Sequence, residues 1–159
     1  GRSIDRSMSY GTDNPAPDSV EVGKFLPQPP GVVWHAITDP PMLERWLMKP
    51  VGFDAAVGTG FVFAVPTAPT GEIACEVLKS GRNQRLTYSW VDLRAKHPAR
   101  WILDWALYPQ GCGTRIILKH SGFDTNDRKQ MMARNALERG WRTALTRLDE
   151  TLDQTASRG

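Results

Sequence analysis

Three histidines, two cysteines and one set of aromatic side chains are the groups in this 159-residue sequence with the reactivity or the surface for chemistry. His35 falls in a helical pattern, His97 in a loop and His120 in a strand. His120 alternates in phase with Ile116 and Leu118, so it points to the apolar side of its strand. There it reads first as a hydrogen-bonded core histidine. Its second reading is a cavity-lining polar group or a general base. Cys75 lies in an apolar strand, where a small buried thiol is the expected occupant. Cys112 is distant, and the two match none of the usual metal spacings. No G-x-S-x-G elbow, H-E-x-x-H helix, C-x-x-C pair, P-loop or dinucleotide glycine fingerprint occurs. No metal, cofactor or catalytic residue is therefore assigned.

The aromatic set is the stronger signal. By alternation Phe61, Phe63, Tyr88, Trp90, Trp101 and Trp105 all point one way. Plain core and a platform for an apolar ligand are level readings of such a face. Tyr88 turns a phenol inward, which can orient a ligand carbonyl or hydroxyl. Asp104, between Leu103 and Trp105, faces the other side; a cross-strand salt bridge to Arg115 or Lys119 explains it more simply than catalysis.

The elements that would position these residues follow from periodicity. Residues 1–18 are polar, contain Pro15 and Pro17, and read as a flexible tail. Val20 and Val22 open a strand, with a bulge expected where Lys24 breaks the alternation before Phe25. Two short helices follow. Val33, Trp34 and Ile37 share a face of the first. Asp39 caps the second, Pro40 starts it, and Leu43, Trp46 and Leu47 form its stripe before Lys49 and Pro50 close it. From Val51 to Ser121 the period is 2, broken by turn residues at Gly58–Gly60, Gly81–Asn83 and Gln110–Gly113. A helix of roughly 28 residues, about 40 Å long, then begins after Asp124–Asp127. Leu137, Trp141, Leu145, Leu148 and Leu152 form its apolar stripe. Gly140 sits inside it at a cost of about 1 kcal/mol relative to Ala, which space beside Trp141 or a closely passing strand would explain. An antiparallel sheet of about seven strands with one heavy face needs that helix as its cover.

The bulk numbers bound the function. One domain, 19–155, fits the length and can bury a core unaided. The net charge of +3 comes from scattered Lys and Arg with no basic stripe, which argues against a nucleic-acid binder. The densest run, Arg94 to Arg100, reads as a solvated loop, with a site for the acidic end of a ligand as the second reading. No stretch reaches transmembrane length. With no signal peptide in view, a cytoplasmic, reducing setting is expected.

The order of elements resembles the SRPBCC (START-like, helix-grip) superfamily. Within it, the chain resembles the group related to the activator of the heat-shock-protein-90 ATPase. The matching stretches are Val33–Pro40 with Leu43 and Arg45-Trp46-Leu47, Val57–Phe61, Arg85–Trp90, Gly113–Ile116, His120–Phe123, and Gly140-Trp141 with Leu145 and Leu148. The resemblance implies an α+β helix-grip fold with a cavity between sheet and C-terminal helix. It also implies binding of lipids, polyketides or similar metabolites. Some members act as cyclases; the eukaryotic co-chaperone behind the subgroup's name carries a second domain that this sequence does not contain.

The expected function is binding of an apolar or aromatic small molecule. A cyclase or dehydratase using His120 or Tyr88, and a co-chaperone-like partner-binding module, are the alternatives. The latter would use the outer sheet face or the helix cations Arg128, Lys129, Arg134, Arg139 and Arg142. The candidate cavity lining takes Phe61, Phe63, Cys75, Tyr88, Trp90, Trp101, Leu103, Trp105, Ile116, Leu118 and His120 from the strands. Trp46 joins from the second short helix as a lid, and Leu137, Trp141 and Leu145 from the long helix.

Overall fold

In a computed structural model, which describes residues 16–158, the changes of sequence period become seven strands and three helices. Strand β1 (Ser19–Leu26) is followed by helices α1 (Pro30–Thr38) and α2 (Pro40–Trp46). Strands β2 (Lys49–Val51), β3 (Gly60–Val65), β4 (Gly71–Gly81), β5 (Arg85–Asp92), β6 (Arg100–Gln110) and β7 (Gly113–Ser121) come next. The long helix α3 spans Arg128–Arg158. All strands join one antiparallel sheet in the order β1-β7-β6-β5-β4-β3-β2. The architecture is the α+β helix-grip arrangement expected from the sequence. Of the expected tail at 1–18, only 16–18 are described; the Asp18 carbonyl accepts from the Gly122 and Phe123 N–H groups.

Local chemistry accounts for the element boundaries. Pro30 supplies the first turn of α1, where a missing N–H costs nothing. The Asp39 carboxylate accepts from Met42 N at 3.2 Å and so caps α2. Asp127 does the same for α3, accepting from the N–H groups of Lys129 and Gln130. At 31 residues α3 is about 46 Å long, somewhat longer than the sequence indicated. Lys49 and Pro50, expected only to close α2, form with Val51 the short edge strand β2 against β3.

Two local expectations need correction. The register of β1 on β7 runs unbroken from Ser19 opposite Ser121 to Leu26 opposite Thr114, so no bulge occurs at Lys24. Lys24 keeps its phase because its ammonium reaches Asp149 of α3 at 3.7 Å, a long side chain carrying its charge out past the core. Phe25 turns to the outer face and is 43% exposed. The one register shift on β4 instead falls between Val77 and Lys79. Asp104 pairs with neither Arg115 nor Lys119. Its carboxylate accepts from Arg85 at 2.8 and 3.0 Å and from Thr87, all on the β5 side. Thr87 stands directly opposite it, and the planar guanidinium of Arg85 matches both oxygens at once.

The core lies between the inner sheet face and the three helices. Phe63, Tyr88, Leu103, Trp105, Ile116 and Leu118 are all at most 1% exposed. Helix α3 does not cover this face evenly. Its backbone runs close to β1, α1 and α2 and stands off from β3, β4 and β5. Leu145, Leu148 and Leu152 fill the covered part. Over the other part the helix presents Ala133, Ala136 and Gly140 beside Leu137 and Trp141, and the interior stays open.

Candidate functional site

The open part is a groove of about 530 Å³. Ile73 and Trp90, with Trp101 beside them, make its floor on β4, β5 and β6. The end of β3 and the loop after it (Val65, Pro66, Thr67) and the end of β5 and the loop after it (Asp92, Arg94, Ala95) make one rim. Trp46 at the end of α2 closes it, with Leu47 and Met48 just after. The remaining wall is one face of α3: Ala133, Ala136, Leu137, Gly140, Trp141, Ala144 and Arg147 follow at steps of three and four, or lie beside them. That face is about 21 Å long from Ala133 to Arg147.

Gly140 is central to this wall. A Cβ built there would meet nothing within 4 Å. No strand crowds the position, so of the two reasons offered by the sequence the closely passing strand does not apply. The missing side chain instead leaves open volume over the aromatic floor. Ala133, Ala136 and Ala144 extend the same effect along the helix.

The wall tryptophans are fixed from behind. Trp46 Nε1 donates to the Ala36 carbonyl at 2.9 Å, Trp101 Nε1 to Gln130 Oε1 at 3.1 Å, and Trp141 Nε1 to His120 Nδ1 at 3.0 Å. Trp90 packs edge-on against Trp141 with ring centroids 5.5 Å apart. An indole N–H engaged this way locks the ring in one orientation and turns its carbon face to the groove.

The sequence-derived candidates therefore separate into two groups. Trp46, Trp90, Trp101, Leu137 and Trp141 line the groove. Phe61, Phe63, Cys75, Tyr88, Leu103, Trp105, Ile116, Leu118, His120 and Leu145 lie outside the lining, packed in the buried core beside or beneath it. Tyr88 is sealed among Phe61 and Phe63, its hydroxyl accepting from Trp105 Nε1 at 3.0 Å. Burial raises its phenol well above the ordinary tyrosine range, and burial pushes the Cys75 thiol up to about 12. Neither group is an acid or base within reach of the groove.

His120 is more unusual. It is fully buried behind Trp141, and burial lowers its pKa to about 3. The imidazole is thus neutral. Since Trp141 Nε1 can only donate, His120 Nδ1 must accept and the proton resides on Nε2. Nε2 has no polar partner and sits amid the rings of Trp90, Trp101 and Phe123, at centroid distances of 5.2, 5.7 and 5.3 Å. The hydrogen-bonded core position and the inward aim both hold, but the ring does not reach the groove.

The polar rim was not legible as a unit. Arg94 donates to both carboxylate oxygens of Asp92 at 2.9 and 2.7 Å and to the Pro69 carbonyl at 3.1 Å, tying the two rim loops together. The guanidinium holds the Asp92 carboxyl below the usual carboxylate range. Arg147, at the far end of the helix face, makes no ion pair among the described residues. A smaller hollow of about 170 Å³ adjoins the groove past Trp101, edged by Lys96, His97 and Lys129. Another of about 650 Å³ lies at the opposite end of β5, among turn residues such as Asn83 and Gln84 and the exposed Tyr108; it lacks an aromatic floor.

Among the described residues, no group of three His, Cys, Asp or Glu side chains is placed to hold a metal ion. No described helix is long and apolar enough to cross a membrane. Of the helix cations, Arg134 and Arg142 both bridge to Glu138, and Arg134 also donates to the Ser19 carbonyl.

A family model described as activator of Hsp90 ATPase homolog 1-like protein matches residues 27–153. A solved structure from Mesorhizobium loti is similar at 31% identity, over 86% of this chain and 98% of that one, with a TM-score of 0.77. CalU16 from Micromonospora echinospora is similar at 25% identity, over 88% of this chain and 79% of that one, with a TM-score of 0.69. DynU16, a protein of the dynemicin biosynthetic locus, shares the fold at 21% identity and a TM-score of 0.74. There the match covers 86% of this chain and 47% of that one. A search of curated proteins gave no match.

Proposed function

The chain belongs to the family of activator of Hsp90 ATPase homolog 1-like proteins, and from that premise we propose that it binds an apolar or aromatic small molecule, a lipid, polyketide or similar metabolite, in the groove between sheet and α3. The observation that carries this reading is Gly140. A glycine in the middle of a long helix costs about 1 kcal/mol relative to alanine, and here no contact requires it. Keeping space over Trp90, Trp101 and Trp141 is the use the position serves. Apolar concave walls with few polar groups are the ordinary form of a small-molecule site. A cytoplasmic setting accords with the two unpaired cysteines, Cys75 and Cys112. A cyclase or dehydratase would need an acid or base on the groove, and His120 and Tyr88 are both walled off from it.

The test is fluorescence titration with N-phenyl-1-naphthylamine, an uncharged apolar probe, on the natural chain and on Gly140→Trp. Saturable binding is expected for the natural chain. Gly140→Trp fills the groove from the exposed helix side, so affinity should fall by about tenfold or more, while circular dichroism stays unchanged. Equal affinity in the two proteins, or no binding to either, would overturn the reading.

A further inference from the structure

The side-chain groups lining the groove are unbalanced in their hydrogen-bonding sense. Three of the four wall tryptophans spend their N–H on interior acceptors. The one carboxylate, Asp92, has both oxygens taken by Arg94. What remains is a set of donors. Among the described residues the fully buried polar side-chain atoms without a partner are Gln28 Oε1 and His120 Nε2. The Trp90 indole N–H, on a residue of the groove lining, has no acceptor among the described residues and does not belong to that pair, so it is not fully buried. Arg147 adds a guanidinium at the end of the helix wall, on the same face as Gly140 and Ala144, with no ion pair among the described residues. Thr67 can donate or accept, and the Met48 thioether is only a weak acceptor. No strong, unengaged side-chain acceptor lines the groove.

We infer that the ligand is an anion: a flat apolar body lying on Trp90, Trp101 and Trp141, with a carboxylate-like group held by Arg147. This rests on the small-molecule reading above. An amine in the same groove would bury donors against donors, whereas an anion meets complementary charge at one end and carbon elsewhere. Of the run at 94–100, Arg94 is the cation on the groove, and Asp92 already engages it.

The experiment compares 1-anilinonaphthalene-8-sulfonate with N-phenyl-1-naphthylamine, which has the same ring framework without the sulfonate. Affinities are measured at low salt on the natural chain, Arg147→Gln and Lys129→Gln, with Gly140→Trp as the groove-filled control. The natural chain should favour the anionic probe by about three- to tenfold, the range for one charge-assisted contact at a partly solvated site. Arg147→Gln should bring that ratio close to one, and Lys129→Gln, on the adjoining hollow, should preserve it. If the neutral probe binds and Gly140→Trp blocks it, yet the ratio is near one in the natural chain or survives Arg147→Gln, the anion is excluded while the groove reading stands. A ratio that collapses in Lys129→Gln instead moves the charge to the other hollow and overturns the role of Arg147. If Gly140→Trp changes neither probe, the groove reading fails and takes this inference with it.

Discussion

Two parts of the same sheet face carry similar side chains to opposite ends. Around Trp105, the rings of Trp46, Phe61, Phe63 and Tyr88 meet edge-on or tilted at centroid distances near 5–6 Å, and the Trp105 N–H is matched to Tyr88. Leu145 and Leu148 of α3 seal the inner face. Around Trp90 and Trp101 the floor is just as aromatic, but α3 faces it with Ala133, Ala136 and Gly140. The floor residues are alike; the opposing helix residues differ in size. Packing density is thus set by the cover, and the same sheet serves as core in one half and as site wall in the other.

The sharpest way to break this comparison is a matched pair of leucine truncations. Leu145→Ala should cost about 2–5 kcal/mol, because it opens a cavity in a closed region. Leu137→Ala should cost about 1 kcal/mol or less, since that half-buried side chain already borders open space. Urea unfolding of both variants decides it, and equal losses would show that the groove half is packed like the core.

The buried imidazole gives the next largest effect. His120 has a folded pKa near 3 against the ordinary 6.5, through burial. Between those values the unfolded chain binds the extra proton, so stability is full above pH 6.5 and falls as pH drops toward 3. The loss should reach about 3 kcal/mol by pH 4, at 1.36 kcal/mol per pH unit. His120→Gln should be less stable at neutral pH but should lack this part of the slope. A natural chain whose stability is flat from pH 6.5 to 4.5 would show that the imidazole is not sealed behind Trp141.

The smallest effect has the opposite sign. Gly140→Ala should stabilise the fold by about 0.5–1 kcal/mol, from helix propensity with no new clash. A loss of stability in thermal unfolding would mean that the glycine serves the backbone rather than the groove.

The fold was largely legible because period is a local property. The switches of period named the elements in order apart from the short edge strand β2, and Asp39 and Asp127 marked two helix starts by their side-chain chemistry. What alternation cannot give is the third dimension. It placed Phe61 and Trp90 on one face correctly, yet could not say which lay under leucine and which under alanine. The groove rim was hidden for a related reason. Asp92, Arg94 and Thr67 belong to loops joined by contacts across the sheet, such as Arg94 to Pro69, which have no sequence spacing. Gly140 was noticeable as a cost, but a small residue facing a void and one facing a tight neighbour look alike in sequence. Lys24 misled because an inward lysine breaks the pattern of hydrophobicity without breaking the pattern of the backbone.

The pairing of β1 with β7 sets the timetable of assembly. Strands β2 to β7 each pair with a neighbour close in the chain, so those pairings close short loops. The first strand must wait for the last, across the 87 residues between Leu26 and Thr114. At typical translation rates that interval is about 4–17 s. The helix that covers the aromatic face is made later still. During synthesis the tryptophans that will form the core and the groove wall stand uncovered together, and only the arrival of α3 separates their fates.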